Sequence, residues 1–267
     1  MKTAINTTTW HGYAHHTGAT FAIEDFLREA AEAGYAGVEV GGGPARLGTP
    51  GAFRKLAASY GLEIAAYASS ITQNPWAPNT RQYRADIRYA AKLGVPILMV
   101  CGGFIPSPRR NTYPADYDLF AGNLRAMMRD AASHGLTVAY HPHRGCVVET
   151  LAETRLLLER LPELRLCPDF AHLEASGDDA LAFMQALGER CIYTHVKDYD
   201  WGKDTFTELG KGKSKLVVAD CVTALHAHGY DGWLCVELDK KFSGAAPRTP
   251  LESAYISRRY LNKYCRV

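Results

Sequence analysis

Apolar positions along the chain alternate between two spacings, and glycine stands at many of the changes. In EAAEAGYAGVEV, AASYGLEIAAY, AAKLGVPILMV, ASHGLTVAY and HAHGYDGWLCVEL, a helix-like stretch ends at Gly34, Gly61, Gly94, Gly135 or Gly229 and a β-rich run follows. Glycine takes up the left-handed backbone that closes a helix at little cost, so each marks a helix stop. Upstream of two stops the spacing is helical. Tyr83, Ile87, Ala90 and Leu93 share one face, as do Tyr117, Phe120, Leu124, Met127 and Ala131. Strands are predicted over Ala4–Thr9, Gly37–Val40, Glu63–Ala68, Ile97–Cys101, Thr137–His141, Leu164–Asp169, Ile192–Val196 and Leu234–Leu238. Most are apolar runs without strict alternation, as expected of parallel strands covered on both faces. Eight strands, each followed by room for a helix, predict one α/β domain over residues 1–267, a (β/α)8 TIM barrel. A doubly wound open sheet is the alternative.

Composition adds exclusions. The 267 residues are 47% hydrophobic, enough for a large core, and the net charge of +2 gives no electrostatic reason to expect nucleic acid or an anionic membrane as partner. MKTAINTTTW lacks a charged-then-apolar signal pattern, and no apolar run approaches the roughly 18 residues of a spanning helix. The seven cysteines are odd in number and scattered, with no C-x-x-C pair. That argues against a disulfide framework or thiolate zinc site and for a reducing compartment, so a soluble cytoplasmic protein is expected.

In a barrel of this kind the chemistry lies at the C-terminal ends of the strands. Strand five ends in His141 (AYHPHRG), strand six in Asp169 (LCPDFAH), strand seven in His195 (YTHVKD) and strand eight in Glu237 (LCVELD). Two imidazoles and two carboxylates on one rim, with no thiolate, suit a divalent metal such as Mn²⁺, Co²⁺, Fe²⁺ or Zn²⁺. Any one of them alone reads as a turn or capping residue; four at equivalent places on successive strands read as ligands. His143 shares a strand face with His141 and is either the alternative ligand or a neighbour behind it. Lys197, two past His195, is expected to face the same pocket. His172 is expected over its mouth, with Glu39 at the end of strand two and His15, His16 and Trp76 in rim loops as further substrate contacts.

Three motifs mislead. Gly212–Lys213–Ser214 resembles the end of a phosphate-binding loop, but Thr207 stands where that motif needs its first glycine. Gly41–Gly43 follows a strand without dinucleotide-fingerprint spacing, so a nicotinamide cofactor is rejected. Cys146 lies near two histidines with nothing to mark it as a nucleophile.

The strand-end ligands, D-x-x-H (Asp169, His172), H-V-K-D (His195–Asp198) and the final Glu237 resemble the xylose isomerase-like sugar isomerase/epimerase superfamily over nearly the whole chain. AYHPHRG, THVKD and the ELGKG loop (Glu208–Gly212) look most like its inosose dehydratase members. The resemblance implies a single barrel, commonly oligomeric, with one divalent metal, Mn²⁺ first and Co²⁺, Fe²⁺, Mg²⁺ or Zn²⁺ also compatible. The implied substrate is a small carbohydrate or cyclitol. Ketose 3-epimerases of the superfamily carry glutamate at the strand-five position, where His141 stands here. Without that second carboxylate, dehydration through α-proton abstraction is favoured over two-base epimerisation. Lys197 or His143 is expected as the base and Glu237 as both ligand and catalytic carboxylate. Isomerisation or epimerisation, a subunit of a C-glycoside deglycosidase-type complex, and a multi-metal phosphodiesterase are the competing readings; the +2 balance opposes the last.

Overall fold

The computed structural model describes residues 1–71, 79–105, 112–214, 217–239 and 247–267. Strands β1 (Lys2–Asn6), β2 (Gly37–Gly41), β3 (Glu63–Ser70), β4 (Ile97–Cys101), β5 (Thr137–Tyr140), β6 (Arg165–Leu166) and β7 (Thr194–Val196) are joined in one sheet by β10 (Trp233–Val236). Every pairing in it is parallel, in the order β6-β5-β4-β3-β2-β1-β10-β7. The two ends meet through bridges at Leu166–Cys191 and Asp169–His195. Ile192 N–H donates to the Leu166 carbonyl at 3.1 Å and His195 N–H to that of Pro168 at 3.0 Å. The ring is a nearly closed (β/α)8 barrel, as the glycine-to-strand pattern predicts. A small antiparallel hairpin, β8 (Asp198–Asp200) and β9 (Thr205–Thr207), rises from the end of β7.

The helices are α1 (Thr8–Thr17), α2 (Ile23–Glu32), α3 (Pro44–Leu47), α4 (Pro50–Ser59), α5 (Thr80–Leu93), α6 (Pro114–Ala132), α7 (Leu151–Arg160), α8 (Phe170–Ala175), α9 (Ala180–Leu187), α10 (Val218–Ala227) and α11 (Pro250–Tyr260). The faces predicted for α5 and α6 are buried against the strands: Tyr83, Ile87, Ala90 and Leu93 on one, Phe120, Leu124, Met127 and Ala131 on the other. No helix among the described residues is long and apolar enough to cross a membrane. All seven cysteines are free thiols.

Five predicted strands are shorter than their sequence suggests, the fifth and seventh only by one residue at His141 and two at Ile192–Tyr193. The first ends at Asn6, not Thr9, because the Asn6 carboxamide accepts from Thr8 N–H at 2.7 Å and turns the chain into α1. The sixth pairs regularly only over Arg165–Leu166. Pro168 has no N–H to give, and pairing resumes at Asp169 as a single bridge. The eighth stops at Val236, leaving Glu237 in the loop beyond it.

Inside the ring lies a layer of mostly small side chains: Ala4, Ala66, Met99, Ala139, Cys167, Cys235 and the bulky Tyr193. Inward-pointing residues of a barrel stack in layers, and residues two apart share a face. The layer above therefore holds Asn6, Glu39, Ala68 and Cys101 on the first four strands, and His141, Asp169, His195 and Glu237 on the last four. The polarity of the site follows from that parity.

The Gly212–Lys213–Ser214 segment has a structural occupant where a phosphate-binding loop has its anion. The Asp198 carboxylate accepts from Gly210 N–H (3.0 Å), Gly212 N–H (3.1 Å), Tyr199 N–H (2.8 Å) and Ser214 Oγ (3.3 Å). A Cβ on Gly212 would lie 2.1 Å from Asp198 Oδ1, so only glycine lets the loop close round it.

Candidate metal centre and active site

One ligand atom from each of His141, Asp169, His195 and Glu237 lies within 4.8 Å of the others. His141, His195 and Asp169 are each aimed by a bond made on the far side. His141 Nδ1 sits 3.0 Å from the Cys167 carbonyl, which can only accept, so Nδ1 carries the proton and Nε2 a bare lone pair. That Nε2 is buried with no hydrogen-bond partner. His195 Nε2 is 2.8 Å from Glu39 Oε2, while its Nδ1 lies 2.9 Å from Glu237 Oε2 outside hydrogen-bond geometry. Asp169 caps α8 with Oδ1, accepting from Ala171 and His172 N–H at 2.9 and 3.1 Å, which leaves Oδ2 turned inward. A buried lone pair without a donor is costly, and a cation is the group that would satisfy it. The two-imidazole, two-carboxylate donor set fits a divalent metal ion.

Charge is balanced tightly around this centre. Lys197, fully buried, places Nζ 2.7 Å from Asp169 Oδ2, 3.2 Å from Glu237 Oε2 and 2.9 Å from Asp239 Oδ1. Burial works against its charge, but Asp169, Asp239 and Glu237 together hold its pKa well above the usual lysine value. Burial would also raise Glu237, yet His195 and Lys197 keep its carboxyl well below the ordinary range. His195 follows the same logic with opposite sign: burial disfavours the imidazolium, and Glu237 and Glu39 more than reverse that. His141 and His172 are held well below the usual histidine value, chiefly by burial, with neighbouring cationic or imidazole groups adding to it. Among these protein groups Lys197 is an ammonium, the reverse of the lowered pKa expected for a base.

A second group stands beside the centre. His143 Nδ1 lies 2.6 Å from the Arg144 carbonyl, so in the neutral ring the lone pair is on Nε2. Its ring is 3.8 Å from that of His172 and 5.4 Å from that of His141. His172 is buried with both ring nitrogens unpartnered, and Nε2 lies 3.8 Å from Asp239 Oδ2. From the hairpin, Phe206 packs edge-on against His172 at 4.6 Å and lies 4.7 Å from the Lys197 ammonium.

The structure thus brings together His141, His143, Asp169, His172, His195, Lys197 and Glu237. Glu39 is buried with both carboxylate oxygens engaged by the protein. His15 and His16 are exposed in the last turn of α1 and are not part of the buried cluster. Trp76 lies outside the described residues. Sequence reasoning missed Asp239, Asn6 and Phe206. Asp239 was accessible to the parity argument, since it stands two past Glu237 as Lys197 stands two past His195. Phe206 carried no signal, because its place depends on the fold-back of the β8–β9 hairpin.

The family model described as xylose isomerase-like TIM barrel matches residues 27–261. An inosose dehydratase of Lactiplantibacillus plantarum is 28% identical over 276 residues, covering 91% of this chain and 88% of its own. The inosose dehydratase of Geobacillus thermodenitrificans is 26% identical over 277 residues, covering 93% of this chain and 91% of its own. A solved structure of an IOLI protein with a bound zinc atom aligns with a TM-score of 0.77 over 99% of both chains at 15% identity, a likeness of fold. With most of its length matched by that model, the chain belongs to the xylose isomerase-like TIM barrel family.

Proposed function

We propose that the protein is a divalent-metal-dependent lyase that removes water from a keto-cyclitol or keto-sugar, in the manner of an inosose dehydratase. The observation that carries this reading is the convergence of four ligand atoms within 4.8 Å round a buried His141 Nε2 that has no other partner. The inosose dehydratase relatives, similar along nearly the whole chain, support dehydration as the reaction. His141, Asp169, His195 and Glu237 would hold the cation, with Mn²⁺ the first candidate. A divalent cation supplies Lewis-acid stabilisation of negative charge developing on a substrate carbonyl oxygen.

The chain's own groups would do the rest. His143, beside the centre with Nδ1 turned to the Arg144 carbonyl, takes through Nε2 the proton from the carbon next to the carbonyl. The C–O bond to the β-hydroxyl breaks, and the hydroxyl leaves as water with a proton from Lys197, whose ammonium the surrounding carboxylates maintain. A C=C bond forms between the two carbons, so the net change is loss of one water. His172, with both ring nitrogens unpartnered, is placed to bind a substrate hydroxyl, and Phe206 shields Lys197 from solvent. In this reading the protein is cytoplasmic and oligomeric.

Incubating the Mn²⁺-loaded protein with 2-keto-myo-inositol and a set of 3-keto-sugars, followed by mass spectrometry, tests this. Loss of one water from a substrate supports the lyase; a new isomer of unchanged mass assigns the same site to isomerisation or epimerisation. Retention of the α-hydrogen in D₂O during turnover would rule out proton abstraction.

A further inference from the structure

Glu39 was expected to touch substrate, yet the fold gives it another partner. It sits on β2, fully buried, and reaches His195 on β7: Oε2 lies 2.8 Å from Nε2. Its other oxygen accepts from Asn6 Nδ2 at 2.5 Å. Asn6 is itself fixed, because its Oδ1 accepts from Thr8 N–H at 2.7 Å and from Thr8 Oγ1 at 2.5 Å. A carboxamide held in that way cannot flip, so its NH₂ must face Glu39. The chain of bonds runs Thr8, Asn6, Glu39, His195.

We propose that Glu39 is a positioning residue for the metal centre, fixing His195 with its proton on Nε2 and its Nδ1 lone pair toward the other three ligands, and that Asn6 holds Glu39 in place. An imidazole has one proton to place when neutral, and a carboxylate can only accept. Opposite Glu39, the protonated nitrogen must therefore be Nε2. The consequence is that β1 and β2, which contribute no ligand, set the affinity of a centre built by the other half of the ring. Glu39 and His195 also approach Cys235, but burial keeps that thiol protonated and therefore a poor ligand.

This inference rests on His195 being a ligand, and the test separates the two. Mn²⁺ binding is measured by titration calorimetry on metal-free wild type, Glu39→Gln, Asn6→Ala and Asp169→Asn, with unfolding followed for each. Glu39→Gln has one acceptor oxygen instead of two, and its NH₂ must face either Asn6 Nδ2 or His195 Nε2. Its Mn²⁺ affinity is expected to fall about 10- to 100-fold, as when outer partners of metal-bound histidines are removed. Asn6→Ala should lose less, and Asp169→Asn should lose binding. In the Zn²⁺-loaded protein, one exchange-protected imidazole proton on Nε2 of His195 should be visible by NMR and vanish in Glu39→Gln. Wild-type Mn²⁺ affinity and an unchanged His195 proton in a folded Glu39→Gln protein would overturn the positioning role alone. Wild-type binding by Asp169→Asn would overturn the metal reading beneath it. Should Glu39→Gln not fold, the Asn6→Ala affinity and the His195 proton in that variant decide the question in the same way.

Discussion

Two buried carboxyls, one on a helix behind the ring and one at its rim, have opposite fates. Asp86, on α5 behind β3, accepts from Ser69 Oγ at 2.8 Å, Gln82 Nε2 at 3.1 Å and Tyr67 OH at 3.3 Å. Every donor is neutral, and burial still pushes its pKa up. Glu237, at the end of β10, faces His195 and Lys197, and its pKa goes down although burial opposes that too. At Asp86 three neutral hydrogen bonds do not offset the cost of burying charge; at Glu237 two cationic neighbours do. Lys197 alone does not for Asp239, whose pKa burial still raises. The Asp86 network is a brace. Through Tyr67, whose hydroxyl also accepts from Gly43 N–H at 2.8 Å, it ties the β2 loop to β3 and α5, and Gly43 takes a left-handed φ of 63° there. His195 and Lys197 hold the Glu237 carboxylate ionised, the form a metal or a polarised substrate needs.

The comparison breaks most visibly if metal content does not follow it. His141→Ala and Asp169→Asn should reduce bound Mn²⁺ from stoichiometric to trace by elemental analysis, whereas Cys101→Ala, at the same layer in the first half of the ring, should leave it unchanged. Metal retained in the first two, or lost in the third, would erase the distinction. Lys197→Met comes next. It leaves Asp169, Glu237 and Asp239 facing one another, so the metal-free protein should lose about 3–5 kcal/mol in urea unfolding, with Mn²⁺ restoring part of it. Turnover should fall about 10²- to 10⁴-fold. An unchanged unfolding midpoint would show that the carboxylates do not depend on the ammonium.

Smaller effects sharpen the same contrast. Arg144 bonds Asp204 at 2.8 Å on the tip of the hairpin, an exposed pair, so Arg144→Ala should cost less than about 1 kcal/mol in global stability. Faster hydrogen exchange confined to β8–β9 would show the hairpin loosened without the barrel. The smallest effect is a pH effect at Asp86. Its folded pKa lies above its ordinary 3.8, so between the two values the folded state binds more protons than the unfolded, and this group's contribution rises as pH falls. Asp86→Asn lacks that contribution and should lose more stability than wild type as the pH is lowered from neutrality toward the ordinary value of 3.8. An identical pH slope for the two proteins would mean that the three neutral donors do offset burial.

Much of the site was readable because a strand has a two-residue period. His141, Asp169, His195 and Glu237 each end an apolar run, and the parity that puts Ala139, Cys167, Tyr193 and Cys235 inside the barrel puts these four above them. Lys197 and His143 followed by the same step. Strand ends were less legible: Asn6 turns the chain by a side-chain bond, and Pro168 interrupts a ladder that the apolar run suggests is continuous. The protonation of Lys197 was not legible at all, since it depends on three carboxylates at positions 169, 237 and 239 meeting one amine.

The sequence by itself determined the repeated strand–glycine–helix order, the inward face of each strand and therefore which side chains stand on the rim, because those are local consequences of backbone period and glycine's left-handed freedom. Only the tertiary structure decided what each rim group does. Glu39 meets His195 across 156 positions of chain, and Phe206 covers Lys197 through a hairpin. The partners that closure of the ring brings within reach set the direction of the pKa shifts at His195, Lys197 and Glu237 against burial. Partnership in a low-dielectric interior is a property of distance in space, which chain spacing does not encode.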